Sequence, residues 1–285
     1  MAGLSVTFWG TRGSIPTPGP GTVRYGGNTP CLEVAAGGRR LILDAGTGLR
    51  ACGLAATRTS DEITILLTHT HWDHIQGLPF FAPLYRPGAT ISVVGPRQSG
   101  TTLEAILHAQ MTETVFPVPA SAVGATLAVR EIDAQPFAVD GFELDVIRNC
   151  HPGPTLGYAV RSGGGKPALG YLTDNELRCD DAVRRRADFV RFLHGVELLV
   201  HDAMYFESEI GHRAGWGHST ASDAVLLALE AEAERLVLFH HDPGHDDAAL
   251  ERLREEADAC RVRHGGTLDV TIAVEGATVP CQGGA

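Results

Sequence analysis

Leu66-Leu67-Thr68-His69-Thr70-His71-Trp72-Asp73-His74-Ile75-Gln76-Gly77 is the stretch on which the reading of this chain turns. The apolar run 63–67 predicts a buried strand. It stops at three histidines and an aspartate packed into residues 69–74, and Gly77 opens a segment able to start a short helix. Imidazole nitrogens and carboxylate oxygens are the usual ligands of zinc and similar divalent ions. Set just past a strand end, they have a fixed backbone behind them and open space in front. His69 and His71 are spaced to chelate one ion, while Asp73 and His74 turn toward a second. An HxHxDH array is rare enough by chance to be read as a metal site.

The same device recurs along the chain. Strands are predicted at 4–9, 31–36, 39–43, 90–94, 126–132, 136–139, 142–148, 156–161, 168–173, 196–200, 235–239, 268–274 and 277–280. Helices are predicted at 99–110, 180–193, 221–233 and 247–263, with Ser219 or Thr220 as a cap for the third. Besides the strand at 63–67, four others run into a candidate metal ligand or its support: Asp44, His151, Asp174 and His240. In layered α/β proteins such strand ends line one sheet edge, where sites lie. Asp44 has two readings at this point, an orienting partner for an imidazole or an N-cap for a helix from Thr47 onward. The Gly/Pro-rich segment 10–30 reads as an irregular loop, either plain surface or a rim over a pocket with Arg12, Arg24 or Asn28 near substrate. No repeats or linkers interrupt the pattern, which predicts one domain over residues 1–285.

Composition narrows the function. Apolar residues make up 44% and charged residues 20%, ordinary for a globular chain. A net charge of −11 argues against a broad surface for nucleic-acid backbones, although a metal cluster supplies local positive charge for an anion. Six cysteines are scattered with no CxxC pair, which predicts reduced thiols. No signal peptide and no apolar stretch near 18 residues is visible, so a cytoplasmic protein with no membrane partner is expected.

The ordered series HxHxDH, His, Asp, His resembles the metal pattern of the metallo-β-lactamase superfamily, over essentially the whole chain. The resemblance implies an α/β fold, the αβ/βα four-layer sandwich of the metallo-β-lactamase type. It implies one metal on His69, His71 and His151, a second on Asp73, His74 and His240, and Asp174 bridging both. The cofactors would be two divalent metal ions, zinc first, with manganese or iron as alternatives. The stretches GTRGSIP, HPGPTLGY (151–158), LVHDAMY (199–205), GHST (217–220) and LFHHDP (238–243) are most similar to the phosphodiesterase branch that includes tRNA 3′-processing ribonuclease Z. That branch implies a proton-transfer pair, Asp202 and His218, beside the metals, with Asp73 also in the catalytic set. Two departures stand out. The branch usually has Glu where this chain has Asp202, and the chain lacks the long basic insertion with which ribonuclease Z grips tRNA.

Those departures, with the acidic balance, favour a small phosphodiester such as a cyclic nucleotide or cyclic phosphate. Extended nucleic-acid binding is not expected, and a homodimer is compatible with the chain. A tRNA 3′-processing-type endonuclease is the alternative. Lactonase, thioesterase and β-lactamase chemistry shares the seven ligands, but a thiolate leaving group does not need the acid that an alkoxide needs. A non-enzymatic metal-binding scaffold fits least, because the ligand set is intact. Against Leu-x-His the register selects His240 as the last ligand, with His241 one residue away as the other choice.

Overall fold

Apolar residues at every second position of LSVTFWG bury Leu4, Val6 and Phe8 on one face of the first strand, and the rest of the fold repeats that device. The computed structural model describes residues 3–55, 62–161 and 166–281. It contains two mixed seven-stranded sheets. The first uses β1 (Leu4–Gly10), β2 (Cys31–Ala36), β3 (Arg39–Leu43), β4 (Glu62–Leu66), β5 (Thr90–Pro96) and β6 (Thr126–Ile132). The second uses β7 (Phe137–Val139), β8 (Phe142–Arg148), β9 (Leu156–Arg161), β10 (Pro167–Leu172), β11 (Leu198–Asp202), β12 (Arg235–Phe239) and β13 (Asp269–Ile272), after which β14 (Thr278–Cys281) returns to the edge of the first sheet beside β1.

Leu4, Val6, Leu32 and Leu43 from the first sheet meet Leu144, Tyr158, Leu169, Val200 and Val237 from the second in one inner core. Each such side chain contributes about 1.5–3 kcal/mol on burial. The outer face of the first sheet is covered by α1 (Gly48–Ala55), by the segment carrying α2 (Trp72–Ile75) and by α3 (Leu103–Ala109). The outer face of the second is covered by α4 (Asp180–Leu193), α5 (Ala221–Glu230) and α6 (Asp247–Arg263). The layering is αβ/βα, as the resemblance implies.

Strand direction puts the candidate ligands on one edge. β3 to β6 are mutually parallel, as are β10 to β13, and β8 runs parallel to β10 through two antiparallel pairings with β9. The C-terminal ends of β3, β4, β8, β10, β11 and β12 therefore open together. At that edge the sheets are tied across the core. Tyr158 OH donates to the carbonyl of Leu67 at 2.7 Å, and Leu156 N–H donates to that of Thr68 at 2.9 Å.

Four differences from the sequence expectations have local causes. The helix expected at 99–110 is shorter because Thr102 accepts from Ala105 N–H and fixes its start. The one expected at 221–233 ends at Glu230, followed by Glu232 in the left-handed region at φ 53°. Helix α1 lies where a helix from Thr47 onward was one of two readings, but Asp44 does not cap it; packing of Leu49 and Cys52 into the outer core holds it despite two glycines that lower the propensity. Cys150 and Cys179, expected as free thiols, are joined as a disulfide with Cα atoms 6.7 Å apart. Among the described residues no helix is long and apolar enough to cross a membrane.

Candidate metal centre

Three of the strand ends turn in the same uncommon way. Asp44 after β3, Asp174 after β10 and His240 after β12 adopt positive φ of 61°, 52° and 61°. Non-glycine residues rarely do so, and such strain collects at functional sites. Here the turn ends the ladder and swings the side chain into the opening between the sheets.

Seven side chains meet there. His69, His71, His151 and Asp174 each offer one donor atom, and these atoms lie within 4.8 Å of one another; Asp73, His74 and His240 form a second such group. Asp174 faces both. Its Oδ1 stands 3.1 Å from His74 Nε2 and 3.3 Å from His240 Nε2, while its Oδ2 stands 3.7 Å from the Nε2 atoms of His69 and His151. One oxygen is directed at each group, the geometry of a bridging carboxylate.

The surroundings prepare these donors for a cation. Burial holds the His69 imidazole well below its usual range and brings His151 down to about 4, so both are in the neutral form a metal needs. The Nε2 of His69 is buried with no hydrogen-bond partner among the described residues. His74 is also buried, but Asp174, Asp73 and Asp44 outweigh that and raise its pKa well above the usual range, favouring at this place a positive charge that a bound cation would supply. The orphaned Nε2 of His69, with neutral His151 and the paired carboxylates around it, fits a divalent metal.

Tautomers are fixed from outside. His151 Nδ1 faces the Gly217 carbonyl at 3.0 Å, and His74 Nδ1 faces Asp44 Oδ2 at 2.9 Å. In each case the outer nitrogen donates and Nε2 is left toward the cluster. Asp44 is the orienting partner and not a helix cap. Fully buried, it also accepts from Thr68 N–H at 2.8 Å and from the Tyr171 hydroxyl at 2.8 Å. Asp44→Asn is expected to lower metal affinity by roughly 10- to 100-fold, the usual effect of losing such a partner. Competition with a chromogenic chelator measures it, and unchanged affinity would reduce Asp44 to a packing role.

Asp202 and His218 sit beside the cluster. Asp202 Oδ2 and His218 Nδ1 are 2.6 Å apart, and Oδ1 accepts from Met204 N–H at 3.1 Å and Ser219 N–H at 3.3 Å. The His218 ring stacks on that of His240 at 4.9 Å. Burial pulls its pKa down, but Asp202, then Asp174 and Asp73, outweigh it and push His218 up to about 9. The shorter aspartate arm still reaches its histidine.

The other expected residues lie elsewhere. His240, not His241, enters the cluster; His241 Nε2 faces the Ala273 carbonyl at 3.1 Å. Arg24 pairs with Glu251, and the Asn28 amide donates to Glu275 Oε1 at 2.6 Å, so neither is brought to the cluster. Asn28 instead lines an apolar cavity of about 790 Å³ with Trp72, Phe80 and Phe116. Arg12 is fully buried and donates to the carbonyls of Gly26, Asp242 and His245, which makes it a brace for the rim.

Three contributors escaped the sequence reading. Ser14, at φ 63°, donates its N–H to Asp73 Oδ2 at 2.8 Å. Gly13 lets the chain pass the His240 ring, since a Cβ there would lie 2.5 Å from it. Glu176, buried, accepts from the N–H groups of Gly215 and Gly217, each at 2.9 Å. Short Gly-rich spacing was the one sequence signal available for the first two.

Residues 39–241 match the family model described as the beta-lactamase superfamily domain. The chain is 26% identical to the ribonuclease Z of Natronomonas pharaonis, over 95% of this chain and 99% of that protein. The metallo-beta-lactamase fold protein YhfI of Bacillus subtilis superposes with a TM-score of 0.72 at 20% identity, covering 98% of this chain and all of that one. A diphosphatase of the PhnP family gives 0.67 at 18% identity, with 97% of each chain covered. Ribonuclease Z is by its name a nuclease acting on RNA. That weighs against the expectation of a small-molecule substrate without extended nucleic-acid binding.

Proposed function

From the premise that the chain belongs to the beta-lactamase superfamily and is a metal-dependent hydrolase, we propose that residues 1–285 form one binuclear phosphodiesterase domain of the ribonuclease Z type, acting on RNA. The observation that carries the phosphodiester reading is the Asp202–His218 pair, held at 2.6 Å beside a donor cluster with a shared carboxylate. An alkoxide leaving group needs a proton donor at this place, and a thiolate does not.

His69, His71 and His151 would hold one ion, Asp73, His74 and His240 the other, with Asp174 between them. The donor set of imidazoles and carboxylates suits zinc, with manganese or iron as other choices. When bound, the metal pair activates a water and neutralises phosphate charge. The protein's own residues do the rest. Asp44 and the Gly217 carbonyl orient imidazoles, and Ser14 N–H holds the Asp73 carboxylate. Asp202 keeps the proton of His218 on Nε2, facing the cluster, for the departing oxygen.

A second reading, a small phosphodiester such as a cyclic nucleotide, has its own support. The chain carries 34 acidic against 23 basic residues, and both arginines of the rim are engaged, Arg12 inside the protein and Arg24 with Glu251. Gripping a polynucleotide takes several phosphate contacts, whose loss shows in the salt dependence. The test compares precursor tRNA, linear dinucleotides and cyclic mononucleotides at physiological salt, with metal-loaded enzyme. Salt-sensitive cleavage of the tRNA, faster than of the others, is expected. Preference for the cyclic mononucleotides would establish the second reading, and a lactone or thioester turned over faster than all of them would overturn both.

A further inference from the structure

Tryptophan is costly to leave in water, yet Trp216 is 60% exposed although its backbone is hydrogen-bonded at three successive residues. The amides on either side of it, those of Gly215 and Gly217, both donate to the buried Glu176 carboxylate, and its own N–H donates to the Arg213 carbonyl at 3.1 Å. Both flanking glycines adopt positive φ, 82° and 88°, and a Cβ at Gly217 would lie 1.9 Å from His151 Nδ1. The tip is thus pinned directly over a candidate ligand. The carbonyl of Gly217 orients His151, and His218 follows one residue later. The Cα atoms of Trp216 and His218 are at most about 7.6 Å apart by chain geometry.

We propose that Trp216 is the platform on which the base next to the scissile phosphate stacks, with Glu176 as the residue that positions it. The proposal rests on the phosphodiesterase reading and deepens it by naming the ligand as a nucleotide base. An exposed aromatic ring carried on a hydrogen-bonded loop next to a phosphate site can hold a base without reading its sequence, because every base has a π-face. It adds affinity where the acidic surface supplies little.

The experiment uses thymidine 5′-p-nitrophenyl phosphate and methyl p-nitrophenyl phosphate, which share a leaving group and differ in the base. The quantity read is the ratio of their kcat/KM values for metal-loaded wild type, Trp216→Leu and Trp216→Tyr. Stacking predicts that Trp216→Leu lowers the ratio by about 5- to 150-fold and that Trp216→Tyr largely restores it. A ratio unchanged in Trp216→Leu, or both substrates lost in equal proportion, overturns the proposal. If wild type hydrolyses neither diester, the phosphodiesterase reading fails on its own, and stacking is then decided by quenching of tryptophan fluorescence. Quenching by AMP but not by ribose 5-phosphate, lost in Trp216→Leu, supports the platform; its persistence in that variant, or its absence from wild type, overturns it.

Discussion

Asp174→Ala should leave purified, metal-loaded protein with well under one ion per chain and lower phosphodiester turnover by roughly 10³-fold or more, the scale of several kcal/mol of metal-derived charge stabilisation. The expectation follows from how its two oxygens are divided. Oδ1 serves the group of His74 and His240, and Oδ2 serves that of His69 and His151. Removing the carboxylate deprives both groups at once and leaves a crowd of imidazoles without the charge that balanced them. His240→Ala makes the contrast, since it strips one group only and should retain about one ion. Elemental analysis after loading and dialysis, alongside turnover, reads both. Two ions retained in Asp174→Ala would mean that the carboxylate does not bridge and that each group binds independently.

What could be read in the sequence was the identity and order of the cluster, because strand ends are local signals. An apolar run followed by His or Asp and a turn announces itself at 63–74, at 142–151 and at 235–240. The left-handed backbone at Asp44, Asp174 and His240 was not legible. Non-glycine residues carry no mark for it, and tertiary packing imposes it. Glu176 was missed for a related reason: its partners, the amides of Gly215 and Gly217, are about forty residues away in sequence and have no side chain to signal with. Arg24 and Asn28 pointed the other way. A loop rich in Gly and Pro looks free to fold over a pocket, but Glu251, Glu275 and Asp247 hold its polar groups against α6 and the segment beyond β13. Scattered cysteines likewise pointed to reduced thiols, and wrongly for Cys150 and Cys179, which two neighbouring strand-end loops bring together.

His218→Ala should lower turnover of diesters with alkoxide leaving groups by roughly 10²–10⁴-fold, and that of p-nitrophenyl diesters far less, with metal content unchanged. A proton donor helps in proportion to the basicity of the departing oxygen, so the slope of rate against leaving-group pKa should steepen in the variant. The surroundings of this histidine suit it to that role. Its Nδ1 is committed to Asp202 Oδ2 at 2.6 Å, and that carboxylate is itself held through Oδ1 by the N–H groups of Met204 and Ser219. The ring therefore cannot turn, and Nε2 is left toward the cluster, where the ring packs 4.9 Å from His240 and 5.3 Å from His151. Although it is buried, the neighbouring carboxylates push it up to about 9 and keep the proton in place. Asp202→Asn tests the same chain of cause, because it removes the charge that holds the proton while nearly preserving shape; it should reproduce the leaving-group effect in weaker form. Equal losses across the leaving-group series in His218→Ala would make this residue a holder of loop or substrate and not the acid. The reading would then move toward acyl chemistry, in which the same donor cluster needs no acid for a thiolate.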